Sequence, residues 1–502
     1  GSCSGSGVLL QLMQNGLAPK ALIFHEEEEI LTLGAIVSDQ LFNKKVAILR
    51  VSKDIYSDLA MADTAEIFEN TLVCGSKTIK LWGLNTETLN LKLTDRRMLN
   101  GDHGAANKIA MEAICKMAAV QSANELIDVT KGHIDGCILA HDANLIFAEK
   151  MYKLGANVSI PTTINAISVN LNNWENQGVE PDFGNKASRL ANAYQKMGAH
   201  PTYTCAPYLL ENKPQRDEVI GWSESNAVIY ANSILGAKTQ KHPDYLDLFI
   251  AMTGRAPKAG VYLNENRIPK IEISVQLPTD FDDSIWPMLG WLIGDLSPNK
   301  IPLVSGLEMA SPSDDDLKAL CAAFGTTSAA PMLHINGHTP GKVYSIPSKL
   351  KNFNITKQHL AKLWNKFNYA DLRVDLVAIG SPHASLTECQ SFVKFFDGKN
   401  CNPNVKTIIT IGRDILSKAK SEGLVEKITS AGVQIISDIC WCSITEPIFP
   451  PEASVIMTNS GKYAHYAHGL TGRKTRFGSL KDCAIAAQSG WAKSELPEWL
   501  SN

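Results

Sequence analysis

The chain has 502 residues, 44% of them apolar and 20% charged, with a formal net charge of −3 at neutral pH. That length allows two or more domains, the composition is that of an ordinary globular protein, and the near balance of charge argues against a large nucleic-acid or membrane footprint. No apolar run reaches membrane-spanning length and no signal-peptide pattern is present. Eleven cysteines, an odd number without a close-spaced framework, fit free thiols or metal ligands in a reducing compartment, so the cytoplasm is expected. The first residue is Gly1, not Met, so the start reads as incomplete or as a cloning scar.

The opening G-S-C-S-G-S-G runs into an apolar helix pattern at V-L-L-Q-L-M-Q. Backbone N–H groups at such a start suit an anion or a developing oxyanion, the plain alternative being a flexible tail. Ala21–Phe24 reads as a strand, Glu26–Asp39 as a helix with an acidic first turn, and Val46–Val51 as a second strand. Ser52 to Asn90 is poorly patterned, with strand, turn and linker expected over Gly75–Leu91. At Leu93 the character changes to a helix start behind a Thr cap. Gly101-Asp102-His103-Gly104 interrupts it, and a second, Ala-rich helix follows. Glycines in helical sequence cost about 1 kcal/mol each relative to Ala, so this is a turn between helices or a site.

Lys131–Cys137 again sets His and Asp between glycines. Val158–Asn165 reads as a strand ending in a polar loop, Ser188–Met197 as a helix, and Thr202–Leu210 carries Cys205. Gly221–Gly236 reads as a helix whose early Glu and Asn are caps or substrate contacts. Arg255 lies in a Gly/Pro-rich loop, either a carboxylate clamp or a solvated charge. Strand-and-helix alternation resumes from Ile271. Pro331–Gly341 and Val374–Gly380 read as strands ending in His-containing loops, Val405–Ile411 and Gln434–Ser437 as strands, and Ile415–Ala431 as the helix between them. The fold class is therefore α/β, and its polar loops follow strands, where such folds place their sites. Asp438 to Gly490 reads as a polar loop bracketed by Cys440 and Cys483. Its polar groups need partners, so it lines a site.

Spacing alone leaves the cysteines as packing thiols, and no C-x-x-C pair supports a zinc ribbon or ferredoxin pattern. Cys440 and Cys442 share a face in an extended segment, so periodicity does not choose between them. His103, His133 and His383 stand in Gly, Pro or Asp loops, none with a second His at ligand spacing. No Gly-x-Ser-x-Gly elbow, Walker loop or dinucleotide fingerprint is convincing.

Several long motifs do match a known family in order. G-S-C-S-G-S-G-V-L-L, L-T-D-R-R-M-L-N-G-D-H-G, P-T-T-I-N, T-C-A-P-Y, W-S-E-S-N-A-V-I-Y-A-N-S-I-L-G-A, G-S-P-H-A-S-L and F-G-S-L-K-D-C resemble the motifs of aconitase X, a branch of the aconitase superfamily. The likeness spans nearly the whole chain. It implies a small swivel-type domain over residues 1–88, lacking the family's usual first segment, and a large catalytic domain over 89–502. A departure is Asp102, where the family more often has Glu. The small-first fused order and T-N-S-G-K-Y-A-H-Y-A-H-G-L-T-G-R are similar to the single-chain branch. That branch implies dehydration of cis-3-hydroxy-L-proline to Δ1-pyrroline-2-carboxylate.

The resemblance also implies a site. Cys205, Cys440 and Cys483 are its expected ligands of an iron–sulfur cluster, [2Fe-2S] first and [3Fe-4S] or [4Fe-4S] as alternatives. Ser2 or Ser4 is the candidate base, a weak one unless neighbours stabilise its alkoxide. His103 and Lys462 are further candidate catalytic residues. Asp102, Asn165, Arg255 and His383 are candidate substrate contacts, with Lys462 or Arg255 pairing the carboxylate. The expected partner is a small hydroxy or amino acid, with no nucleic acid or membrane. The chain acts as a monomer or homo-oligomer, a separate segment completing the small domain if one is needed. Three alternatives compete. A mevalonate 5-phosphate dehydratase needs a phosphate cradle that the opening loop, with no basic residue, does not provide. An RNA-binding relative fits poorly with the absence of basic runs. A zinc hydrolase is the most distant.

Overall fold

The apolar run behind the Gly/Ser stretch folds as the helix Gly5–Gln14, with Leu9, Leu10 and Met13 on its buried side. The computed structural model describes residues 4–340, 347 and 349–501, so Ser2 lies outside the described residues. This helix packs on Ile30–Phe42. Gly34 permits the approach, since a Cβ there would stand 2.7 Å from the Ser6 carbonyl oxygen. Gly7 permits a second one, onto the large part of the molecule: its Cβ would fall 2.6 Å from both Asn144 Oδ1 and His141 Nε2. The helix expected over Glu26–Asp39 begins later, because the acidic run is its entry. Glu28 accepts the N–H groups of Leu31 and Thr32 at 2.8 and 2.9 Å, donors that a first turn leaves open.

Ala21–Phe24 and Ala47–Arg50 pair in parallel, close to the expected spans. The unpatterned stretch behind them holds the helix Lys53–Ala60 and an antiparallel meander of Ala65–Phe68, Thr71–Cys74 and Lys77–Lys80. Ala65–Phe68 is exposed along its length. Neither of its faces meets a core, so no alternation is written there.

Three parallel sheets carry the larger part. Gly132–Ile134 lies between Thr162–Ile164 and Gly221–Trp222. His334–Ile335, Pro302–Ser305, Ile271–Val275 and Lys351–Ile355 form a four-stranded sheet in that order. Gln434–Ser437, Lys406–Ile411, Leu376–Ile379, Val455–Thr458 and Lys474–Phe477 form a five-stranded one. Buried strands of this kind carry unbroken apolar runs; every residue of Leu376–Ile379 and Val455–Thr458 is buried.

Three expected elements change character. Gly221–Gly236 begins as the strand Gly221–Trp222, then forms the helix Ser225–Tyr230 and a π-helical turn, Ala231–Leu235. Ile415–Ala431 is two helices, Arg413–Ser421 and Leu424–Ser430, broken at Gly423 with φ 65°. The polar stretch from Asp438 to Gly490 is not a loop. It contains Val455–Thr458, the helix Gly461–Thr471, Lys474–Phe477 and the helix Leu480–Ser489. Much of its polarity caps helices: Ser460 and Ser479 each accept an N–H from three residues on, at 3.0 Å, as N-caps do.

Three expected site residues are placed elsewhere by the fold. The Gly101–Gly104 turn, with both glycines near φ 90°, separates the helices Leu93–Asn100 and Ala105–Val120. Asp102 and His103 are exposed on it, and Asp102 pairs with Arg97 at 3.3 Å. Arg255 is not a substrate clamp either. Its strand, Arg255–Pro257, pairs antiparallel with Leu126–Asp128. The guanidinium donates to both Asp95 oxygens at 2.9 and 3.1 Å, to the Leu126 carbonyl at 3.0 Å and to Asp128. Asp95 is fully buried, so this bidentate pair satisfies a carboxylate that water does not reach.

Replacing Arg255 with Leu strands that carboxylate and is expected to destabilise the fold by about 3–5 kcal/mol, read as a lowered denaturation midpoint. Asp102→Asn, on an exposed pair, is expected to cost less than about 1 kcal/mol.

Candidate active site

Neighbouring parallel strands end on the same side, and the residues that follow them meet. Asp135 follows Gly132–Ile134, Asn165 follows Thr162–Ile164, and Glu224 follows Gly221–Trp222 after one residue. Asn165 Nδ2 donates to Asp135 Oδ1 and, at 3.3 Å, to Glu224 Oε2. The five-stranded sheet sends three more segments to the same place. Leu376–Ile379 leads to His383, Gln434–Ser437 to Cys440 and Cys442, and Val455–Thr458 to Lys462.

Lys462 Nζ lies 2.9 Å from Glu224 Oε1, with side chains 11% and 15% exposed. Burial opposes the Glu224 charge, but Lys462 and hydrogen bonds, including those from Asn226, outweigh it and hold the carboxyl below its ordinary value. Burial likewise opposes the charge of Lys462, yet Glu224 and then the nearby cysteines keep its ammonium protonated well above the usual range. The pair is therefore ionised at neutral pH.

Cys205, Cys440 and Cys442 form a knot of sulfur. Cys440 is hydrogen-bonded to both of the other thiols, its bond to Cys205 pushing its pKa up to about 12. The bond to Cys440 also raises Cys442, burial adding to it. Backbone donors point at the sulfurs: His383 N–H reaches Cys205 Sγ at 3.3 Å and Cys442 N–H reaches Cys440 Sγ at 3.2 Å. The turn that delivers Cys440 is pinned by Asp438, at φ 75°. Its carboxylate takes Arg413 Nε and Nη2 at 2.7 Å each, and its carbonyl takes Ile167 N–H at 2.7 Å.

Cys483 stands elsewhere. It is fully buried in the helix Leu480–Ser489, within an apolar cluster that includes Val377, Phe392 and Met457. Burial and then Asp482 raise its thiol. The expected set of Cys205, Cys440 and Cys483 is thus corrected: the thiol beside the first two is Cys442. His383 is corrected too. It is fully buried, its Nε2 lies 2.8 Å from the Ile439 carbonyl and its Nδ1 3.3 Å from Thr204 Oγ1. Burial lowers its pKa to about 4, so a neutral ring braces the cysteine segments instead of facing the substrate.

A cavity of about 630 Å³ opens beside the sulfurs. Ser4, Asp135, Asn165, Glu224, Asp244, Cys440, Cys442 and Lys462 contribute to its wall. Ser4 arrives from the opposite end of the chain and hydrogen-bonds the Asp244 carboxyl. Of the expected residues within the described part, Ser4, Asn165, Cys440 and Lys462 line this cavity, and Cys205 adjoins it through Cys440. Sequence reasoning leaves Asp135 and Asp244 without a role. The signal for Asp135 is an acid directly after a short buried strand; for Asp244 there is none.

Among the described residues no three His, Cys, Asp or Glu side chains stand at the geometry of a single metal ion. A cluster makes a different demand, because it spreads its thiolates over several irons. Three adjacent thiols, Cys205 and Cys440 buried and Cys442 half-buried, with backbone donors aimed at two of them, fit that demand, and bound metal would displace their protons.

Four family models match the chain in succession. They are the aconitase X swivel domain over residues 1–74 and the first, second and third aconitase X domains over 88–265, 269–365 and 374–489. The chain belongs to the aconitase X family. Among its relatives, the cis-3-hydroxy-L-proline dehydratase of Hypocrea jecorina is 41% identical over all of this chain and 88% of its own length. That of Pseudomonas aeruginosa is 40% identical with the same coverage. The phosphomevalonate dehydratase large subunit of Methanothermobacter thermautotrophicus is 30% identical over 76% of this chain and 94% of its own. The crystal structure of Thermococcus kodakaraensis aconitase X in its holo-form superposes with a TM-score of 0.73 at 29% identity, covering 80% of this chain and 100% of that one. An aconitase-type dehydratase family points to an iron–sulfur cluster.

The lowered Glu224 carboxyl has a pH signature. A lowered carboxyl contributes stability that is full above its ordinary value of 4.5 and fades only as pH falls below it. Lys462→Met leaves Glu224 charged, buried and unpaired at neutral pH. Its expected cost is about 3–5 kcal/mol at neutral pH, shrinking as the pH is lowered and Glu224 takes a proton. Urea unfolding of both proteins at several pH values measures this.

Proposed function

We propose that this chain is a dehydratase that eliminates water from cis-3-hydroxy-L-proline to give Δ1-pyrroline-2-carboxylate. The observation that carries the reading is the meeting, in one cavity, of a serine hydroxyl, a lysine ammonium and a thiol knot drawn from distant parts of the chain. The relatives matching the whole chain at 40–41% identity support the substrate.

In this reading Cys205, Cys440 and Cys442 would hold the cluster, expected as [2Fe-2S]. When bound, such a cluster supplies a Lewis acid for a departing hydroxyl oxygen. Ser4, as its alkoxide, removes the C2 proton next to the carboxylate while the C3–O bond breaks, so that it ends as the hydroxyl. The departing hydroxide and one proton, equal in number to the C2 proton taken, leave together as water. The resulting ring enamine tautomerises to the imine. Ser4 precedes the helix Gly5–Gln14, whose unpaired N–H groups favour negative charge, and its bond to Asp244 orients the hydroxyl. Lys462, with Arg255 held elsewhere, pairs the substrate carboxylate. The small part, ending near residue 88, contributes Ser4, and the large part contributes the other described lining residues. The described cysteines are all free thiols, which suits a reducing compartment such as the cytoplasm.

Anaerobically purified protein is expected to turn over cis-3-hydroxy-L-proline and to carry about two irons per chain for a [2Fe-2S] form. Ser replacements at Cys205, Cys440 or Cys442 remove iron, visible colour and turnover, while Cys483→Ser keeps all three. Ser4→Ala keeps iron and lowers kcat by about 10²–10⁴-fold. Iron retained in the Cys442 variant and lost in the Cys483 variant overturns the ligand set.

A further inference from the structure

The charges lining the cavity do not balance. Asp135, Glu224 and Asp244 face one ammonium, Lys462, among the described lining residues, and Glu224 already pairs with it. The partners given to the other two carboxyls are neutral: the Asn165 amide for Asp135 and the Ser4 hydroxyl for Asp244. Asp247, behind them, is occupied by the backbone N–H groups of Asp135 and Leu248, at 2.7 Å each.

Asp244 stands apart. It is 3% exposed, yet its Oδ1 has no hydrogen-bond partner among the described residues. Buried polar atoms are nearly always satisfied, so an orphan at a cavity wall is where a ligand donor belongs. Burial first, and neighbouring carboxylates after it, hold the carboxyls of Asp135 and Asp244 above their ordinary range.

We propose that Asp244, with Asp135 beside it, accepts the N–H groups of the substrate's ring ammonium, so that the site selects cyclic amino acids by their protonated secondary amine. This rests on the dehydratase reading and names the group by which its substrate is chosen. A protonated pyrrolidine nitrogen has two N–H donors, and two carboxyls await them. In a buried site a charge pair of this kind is far stronger than in water. A phosphate finds no further cation among the described lining residues, because Lys462 is shared by Glu224 and the substrate carboxylate, so a phosphorylated hydroxy acid lacks a counter-charge there.

The test is calorimetric binding to the holoenzyme of L-proline and of (S)-tetrahydrofuran-2-carboxylate, in which oxygen replaces the ring nitrogen. Wild-type enzyme is expected to bind L-proline about tenfold to a hundredfold more tightly. Asp244→Asn, nearly isosteric, is expected to bring the two ligands to within about threefold of each other, and Asp135→Asn to narrow the gap in part. A merely structural role for Asp244 weakens both ligands together and leaves their ratio in place. Equal affinity in the wild type, no binding of L-proline, or selectivity retained in Asp244→Asn overturns the proposal. If Asp244→Asn does not fold, unchanged selectivity in Asp135→Asn overturns it. Turnover of cis-3-hydroxy-L-proline alongside equal ring affinities leaves the dehydratase reading standing without the amine site. Amine selectivity without turnover leaves the amine site standing and removes the dehydratase reading.

Discussion

One buried ion pair joins the two halves of the site. Glu224 extends from the three-stranded sheet and Lys462 from the five-stranded one, and they meet at 2.9 Å with little access to water. Neither charge is tolerable there alone. Their mutual need fixes the distance between the acidic side of the cavity, built around Asp135 and Asn165, and its sulfur side, built around Cys440 and Cys442. It also places a permanent ammonium next to the thiols, which favours their negative form. The remaining supports are local. Arg413 and Asp438 hold the turn before Cys440, and His383 braces the Cys205 segment with its backbone N–H.

The arrangement follows from strand direction. Parallel neighbours deliver their next residues to one end, so short polar segments far apart in sequence converge without any loop crossing the core. The three-stranded sheet leads to Asp135, Asn165 and Glu224, and the five-stranded one to Cys440, Cys442 and Lys462, while Cys205 and Asp244 sit in segments that follow no strand of either. Ser4 comes from furthest away. It comes from the helix Gly5–Gln14, which belongs to neither sheet, and its position depends on close packing of that helix against Ile30–Phe42 and the large part.

Much of this is legible in the residues, for physical reasons that can be named. Gln434–Ser437 matches its expected span and Lys406–Ile411 lies within a residue of its own, because each carries a short isoleucine-rich run of strand length. The exposed strand Ala65–Phe68 is illegible because nothing packs on it. Cys440 and Cys442 are treated as one extended face in sequence, but the chain leaves strand geometry after Ser437 at the positive φ of Asp438. A turn brings both sulfurs together, and no periodicity describes it. Cys483 enters the expected set through the family resemblance, and its polar neighbours, which read as loop in the sequence, do nothing to remove it. They are Ser479 and Asp482 in a capping box, so the polarity belongs to the start of a helix whose fourth residue points into a core. Asp102, His103 and Arg255 share a different error. Glycine-flanked polar residues mark turns as readily as sites, and only packing separates the two.

Gly7 ties the serine to three residues of the large part. A β-carbon there would collide with Asn144 and His141 and press on Tyr245 Oη at 3.0 Å. Any bulk gained at those positions pushes on the helix one turn from Ser4, and the helix has no strand to resist. Selection on catalysis therefore reaches outward to ordinary-looking packing positions. Loss of function from a well-folded variant at residue 141 or 245, neither of which lines the cavity, can then be traced to a displaced hydroxyl rather than to a damaged cavity.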